Sequence, residues 1–192
     1  MTSKKIPFVI RPLEKGDCES PFSLPGKKDY PLRKFFLSDM EPSAEAFITR
    51  SYVAVPEDPK DKRILGYISA MSAEIGLKGV YDIPDKPEAN RYPSQPAVRI
   101  ARLAVSPDCR GWYIGEALVS LVFTICIDRI CPVVGCRFLI LNAKPDSIGF
   151  YVKQGFTLLE TEENKKTETP IMWLDIKLYN KTKDGSAVEP AA

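Results

Sequence analysis

Apolar residues recur along this chain with two periods, near two and near 3.6, and the switches between them mark its elements. Phe8, Val9 and Ile10 lie between prolines and run into a polar segment at 14–20, which predicts a short strand entering a loop. Leu32, Phe35, Phe36 and Met40 fall at spacings of three and four, so 28–40 is predicted helical, with those side chains in the core. Strand-like runs at 47–55 and 64–74 flank a charged turn with two prolines and predict a hairpin. From 75 to 96 the chain has no strong periodicity over a length that compact domains reserve for functional or mobile loops; the expectation is a lid on the substrate side.

The β-branched and aliphatic stretch 98–105 runs through a polar turn into a helical stripe of Ile114, Ala117, Leu118, Leu121, Val122, Ile125 and Arg129, ended by Pro132. This order is strand, tight turn, helix, and the stripe is expected to pack on a sheet. An apolar strand at 138–141, a short helix at 145–153, a turn permitted by Gly155, and strands at 156–159 and 171–178 follow. The tail at 181–192 is small, polar and unpatterned, and is expected to be disordered.

Composition changes this picture little. With 192 residues, 44% hydrophobic and 27% charged, the chain suits one globular domain with a real core, and a net charge of +2 does not by itself mark a nucleic-acid protein. The opening residues lack the apolar centre of a signal peptide, and the longest apolar run, about 119–127, is too short for a bilayer, so a cytoplasmic protein is expected. Five cysteines, at 18, 109, 126, 131 and 136, are expected to be reduced; the even spacing of the last three matches no common zinc pattern, and buried apolar thiols are the favoured reading. The chain contains no histidine, which excludes every Ser-His, Cys-His and histidine acid-base scheme.

The informative spot is Arg110-Gly111-Trp112-Tyr113-Ile114-Gly115, between a strand and an amphipathic helix. A helix start offers unpaired N–H groups and the positive end of the dipole, and glycines let a polyanion approach the backbone. The alternative for the same six residues is an ordinary turn that uses glycine for its dihedrals.

Here the chain resembles the GNAT acetyltransferases, whose pyrophosphate loop reads R/Q-x-x-G-x-G/A after a strand and before a helix. Arg110 and Gly115 match that pattern, and Tyr113 departs from it at the first glycine. Arg102-Leu103-Ala104-Val105 is similar to the family's central strand, and Phe150-Tyr151-Val152-Lys153-Gln154-Gly155-Phe156 to its F-Y-x-K-x-G-F signature; Ile10-Arg11-Pro12-Leu13 is also typical of the family. The resemblance implies an α/β (α+β) GNAT fold, a mixed central sheet of about six or seven strands flanked by helices, as a single domain over 1–180. It also implies acetyl-CoA held by Leu103, Ala104, Val105, Arg110, Gly111, Trp112, Tyr113, Ile114, Gly115 and Glu116, the pantetheine arm pairing with main-chain groups of Leu103 and Val105. No metal enters this scheme.

Taken alone, Tyr151 reads as a core aromatic; the resemblance makes it the general acid that protonates the departing thiolate. Many family members carry a glutamate base on the central strand, whereas 98–105 has only Arg99 and Arg102 as charged residues. Glu74 is the fallback, against a role as a solvent-facing carboxylate. Without a base the acceptor must be partly neutral at pH 7, which favours α-amino groups over lysine side chains. The strand, the missing carboxylate and the tyrosine together resemble the acetyltransferase toxins of bacterial toxin-antitoxin pairs, which implies aminoacyl-tRNA as acceptor, an antitoxin protein as partner, and Arg99 and Arg102 as substrate contacts. A homodimer is open as well. The competing expectations are a small-molecule or peptide N-acetyltransferase and a degenerate domain that binds acetyl-CoA without turnover.

Overall fold

The charged turn at 56–62 closes the predicted hairpin. In a computed structural model, which describes residues 5–183, β2 (Arg50–Pro56) and β3 (Gly66–Ile75) pair antiparallel from Arg50 against Ala70 to Ala54 against Gly66. Strand β1 (Phe8–Pro12) adds antiparallel to β2, with Phe8 opposite Pro56. With β4 (Gln95–Val105), β5 (Phe138–Asn142), β6 (Thr157–Leu158) and β7 (Ile171–Asp175), they form a seven-stranded sheet in the order β1-β2-β3-β4-β5-β7-β6. Among the described residues no helix is long and apolar enough to cross a membrane.

The described chain packs as two compact units, one of residues 5–71 and 100–122 and the other of 72–99 and 123–183. In the first, α1 (Tyr30–Lys34) runs through a π turn at Phe35–Asp39 into α2 (Met40–Glu45). The wide turn brings Phe35, Phe36 and Met40 onto Val53, Tyr67 and Ala104, the core of this unit. Tyr67 is fully buried, and its hydroxyl donates to the Leu32 carbonyl at 2.8 Å, so the polar end of the ring is paired. The predicted strand at 47–55 begins only at Arg50 because the preceding residues cap α2. Phe47 is left-handed (φ 58°), and the amides of Phe47 and Ile48 donate to the carbonyls of Ala44 and Ser43.

In the second unit Phe138, Ile140, Leu159 and Trp173 form the core. The segment expected to be a lid is a packed strap there: Leu77 and Ile83 are buried, and the Tyr81 ring lies 4.5 Å from that of Trp173. These anchors are too sparse to show a period. Arg137 ties the strap down, its Nη2 donating to Asp85 at 2.7 Å and to Asp175 at 2.8 Å, while the Tyr81 hydroxyl donates to Asp175 at 2.9 Å. Asp175 also ends β7: its carboxylate accepts from the amides of Lys177 and Leu178 and so starts α6 (Ile176–Lys183). The predicted strand at 171–178 therefore stops at Asp175, and 181–183, expected to belong to the tail, are helical. Residues 184–192 lie outside the described chain.

Asp175→Ala should lower unfolding free energy by about 2–3 kcal/mol in urea, because it removes the most buried carboxylate partner of Arg137, leaving only Asp85, together with the acceptor of the Tyr81 hydroxyl and the helix cap. Asp85→Ala, at a more exposed site, should cost about 1 kcal/mol or less. Equal costs would contradict Asp175 as the hub.

Candidate acetyl-donor site

The end of β4 is fixed by close approach. A Cβ at Gly66 would meet the Ala104 carbonyl at 2.9 Å and the Ile114 side chain at 3.1 Å, so only glycine lets β3 lie this near the junction. The Ser106 amide donates to Leu65 O at 2.8 Å, after which Pro107–Cys109 make one 3₁₀ turn. Arg110 is extended and exposed. Gly111 (φ 79°) and Tyr113 (φ 63°) are both left-handed, on either side of a buried Trp112 whose amide donates to Cys109 O. Two reversals around one anchored indole turn the chain from the strand into α3 (Ile114–Ile125).

Ala117 N–H to Tyr113 O, 3.0 Å, is the first helical bond. The amides of Ile114, Gly115 and Glu116 therefore precede the intrahelical ladder, at the positive end of the helix dipole. Among the ten residues expected around the cofactor, the roles now separate. Arg110, Gly111 and the three amides present groups that suit a polyanion. Trp112 and Ile114 have buried side chains, and Ala104 lies in the core cluster, so their side chains hold the turn. Leu103 and Val105 are half-buried and offer main-chain groups. Glu116 can serve only through its amide, because its carboxylate opposes an anion. The Tyr113 ring is 65% exposed, turned away from the core, with the Lys5 ammonium 5.3 Å from its centroid. In α3 the buried stripe is Ile114, Leu118, Val119 and Val122, whereas Leu121 and Ile125 are only half-buried, a rotation from the predicted face.

Tyr151 belongs to the second unit, on α4 (Ile148–Lys153), and the signature around it is a helix stop. Gly155 is left-handed (φ 88°); its amide donates to Val152 O and the Phe156 amide to Tyr151 O, each at 3.0 Å. The Phe156 ring then packs edge-on to Tyr151 at 5.8 Å, and Phe150 does so at 5.0 Å. This is the Schellman arrangement with its apolar contact, and it fixes the tyrosine by both backbone and ring. A Cβ at Gly155 would lie 2.6 Å from the Tyr179 ring, which makes glycine obligatory twice over. Tyr151 is 8% exposed, and burial pushes its phenol up to about 12. Among the described residues its hydroxyl has no hydrogen-bond partner.

The remaining candidates are less converged. Arg99 donates to Asn142 Oδ1 at 2.7 Å in the second unit, and Arg102 stacks on Phe35, 5.4 Å from the ring centroid, in the first. Glu74 is exposed and accepts from Ser94 Oγ at 2.8 Å. Sequence reasoning missed a cavity of about 350 Å³ beside the loop, lined by Phe22, Arg63, Leu65, Ser106 and Cys109 among others. No periodicity signals such a hollow, since its walls come from three separate turns.

Residues 17–156 match the family model described as the acetyltransferase (GNAT) family. The chain belongs to the GNAT acetyltransferases. Solved structures similar to this acetyltransferase include a tyrosine-to-phenylalanine mutant of KacT, 20% identical with a TM-score of 0.75 over 91% of this chain and 98% of that one. AtaT complexed with acetyl-methionyl-tRNAfMet is also 20% identical, with a TM-score of 0.75 over 92% and 99%. AtaTR bound with AcCoA is 19% identical, with a TM-score of 0.67 over 92% and 98%. At these identities the likeness is one of fold. No curated protein matches this acetyltransferase significantly in sequence.

Tyr113 stands where the family has a glycine, in a conformation that costs a side-chain-bearing residue about 1–2 kcal/mol. Tyr113→Gly should raise unfolding free energy by about 0.5–1 kcal/mol after the added chain entropy is counted. A loss of stability in urea titration would mean that the ring and Lys5 contribute more than the strain costs.

Proposed function

We propose that this chain transfers an acetyl group from acetyl-CoA to the α-amino group of aminoacyl-tRNA. The observation that carries the reading is the start of α3, where exposed Arg110 and Gly111 and the amides of Ile114, Gly115 and Glu116 suit a pyrophosphate. When bound, acetyl-CoA supplies a thioester acetyl group and departs as a thiolate. The guanidinium of Arg110 and the three amides hold its diphosphate, while main-chain groups of Leu103 and Val105 orient its arm. Tyr151 acts as general acid: burial keeps its proton in place to about pH 12, and the helix stop aims its ring. The phenol gives that proton to the departing sulfur.

The acceptor follows from what β4 lacks. No Asp or Glu occurs in Gln95–Val105, and Glu74 is exposed and held by Ser94, so the amine has to shed its own proton to water. An α-amino group of pKa about 7.7–8.0 is roughly a tenth neutral at pH 7, whereas a lysine near 10.4 is neutral in less than about one part in a thousand. The complex of AtaT with acetyl-methionyl-tRNAfMet supports an aminoacyl-tRNA acceptor, for which Arg99 and Arg102 supply phosphate contacts. Structures of AtaT bound to the C-terminus of the antitoxin AtaR, at a TM-score of 0.70, and of a KacTA-DNA complex, at 0.71, support an antitoxin protein as partner. A tRNA acceptor sets the activity in the cytoplasm. A second reading, acetyl-CoA binding without turnover, is favoured by one observation, the left-handed Tyr113 in the loop.

Tyr151→Phe should lower kcat on charged tRNA by about 10²- to 10⁴-fold, while acetyl-CoA still raises the melting temperature as for wild type. An unchanged kcat would make Tyr151 a packing residue, and a lost melting shift would make its hydroxyl a ground-state contact. Wild-type binding with no turnover on any amine would establish the second reading, and turnover only on free small amines would exclude the tRNA acceptor.

The pH profile supplies an independent check. Because the folded Tyr151 titrates above its unfolded value of about 10, the neutral phenol stabilises the fold below pH 10, and that contribution is lost only between about 10 and 12. The rate should therefore rise through the acceptor's range near 8 and show no decline before pH 10. A descending limb below pH 9 would contradict Tyr151 as the acid.

A further inference from the structure

Tyr113 carries a cost that the packing of the free protein does not return. Its backbone is left-handed (φ 63°), a region that strains any residue with a Cβ, and its ring is 65% exposed although its neighbours Trp112 and Ile114 are buried. Among the described residues the ring stacks on no other aromatic group and its hydroxyl makes no hydrogen bond. Its partner is the Lys5 ammonium, 5.3 Å from the ring centroid, brought there by the exposed end of the segment that precedes β1. Core packing therefore does not account for a large aromatic side chain at this position. A solvent-facing ring with a cation beside it is suited to stacking on a flat heterocycle and to pairing with a phosphate attached to it.

The place of this pair in the chain selects the heterocycle. Acetyl-CoA carries its pantetheine arm on one side of the diphosphate and an adenosine 3′-phosphate on the other. With the arm along Leu103 and Val105 of β4, and the diphosphate at Arg110 and the first amides of α3, the nucleotide continues past the turn on its solvent side. The Tyr113 ring stands on that side. Glu116, in the first turn of α3, repels a phosphate there, so the ribose 3′-phosphate calls for a cation from outside the helix, and Lys5 supplies one. Lys5 and Tyr113 belong to the same compact unit as the end of β4 and the start of α3.

We propose that the Tyr113 ring stacks on the adenine of acetyl-CoA and that the Lys5 ammonium pairs with its ribose 3′-phosphate. This assignment rests on the acetyl-donor site proposed for the start of α3. It gives the side chain that replaces the family's glycine a use: the strain is kept because the bound nucleotide, and not the core, rewards it. Stacking needs the ring without its hydroxyl, and the ion pair needs the 3′-phosphate, so the two contributions separate by substitution and by choice of donor.

Isothermal titration calorimetry of the whole protein with acetyl-CoA and with acetyl-dephospho-CoA, which lacks the ribose 3′-phosphate, tests both halves. Tyr113→Asn, in which asparagine still accepts a left-handed backbone, should weaken acetyl-CoA binding about tenfold, and Tyr113→Phe less than about twofold. Lys5→Ala should weaken acetyl-CoA about threefold and leave acetyl-dephospho-CoA unchanged. In wild type, adenosine 3′,5′-bisphosphate, the nucleotide end alone, should displace acetyl-CoA, a measurement that needs no variant to fold. Tyr113→Asn binding acetyl-CoA as tightly as wild type, Lys5→Ala losing affinity equally for both donors, or a bisphosphate that does not compete would overturn the assignment and leave the donor site standing. A wild type that binds no acetyl-CoA would remove the donor site as well.

Discussion

The proposed acetyl-donor site depends on turning β4 into α3 without covering the first amides of the helix. Two left-handed residues, Gly111 and Tyr113, bracket a buried indole, and this pairing is what directs the helix start outward. Gly66 makes the turn compatible with the core, because any side chain there would collide with Ala104 and Ile114. The strain at Tyr113 is tolerated because its neighbours on both sides, Trp112 and Ile114, are locked by burial. A polyanion site of the kind proposed, built from backbone, would need no unusual side chains, and the loop at 106–113 presents one charged donor, Arg110.

Tyr151 is fixed by the same economy of local geometry. The helix stop at Gly155 and the ring contact with Phe156 fix its backbone and its aromatic body, and burial fixes its protonation state. A neutral phenol suits a proton donor and disqualifies the residue as a base. The absence of any acid on β4 then pushes the choice of acceptor toward amines that deprotonate unaided.

Much of this was legible before any coordinates. The strand-turn-helix at 98–125 and the helix stop at Gly155 carry period changes and glycines with one physical use each, and both fold as read. Other features were silent for identifiable reasons. Tyrosine and phenylalanine carry no signal for a left-handed backbone, so the capping role of Phe47 and the conformation of Tyr113 emerge only from dihedrals. The stop of β7 at Asp175 follows from an ion network that reaches back to Asp85, far along the chain. The strap at 76–94 hides its anchors among prolines and charges.

The central claim, that backbone amides at the start of α3 hold the acetyl donor, is tested most directly by ¹⁵N-resolved NMR of the protein titrated with acetyl-CoA. The account predicts that the amide resonances of Gly111, Ile114, Gly115 and Glu116 shift together and that their hydrogen exchange slows at saturation. Saturable binding that leaves these four resonances in place while moving others would contradict it.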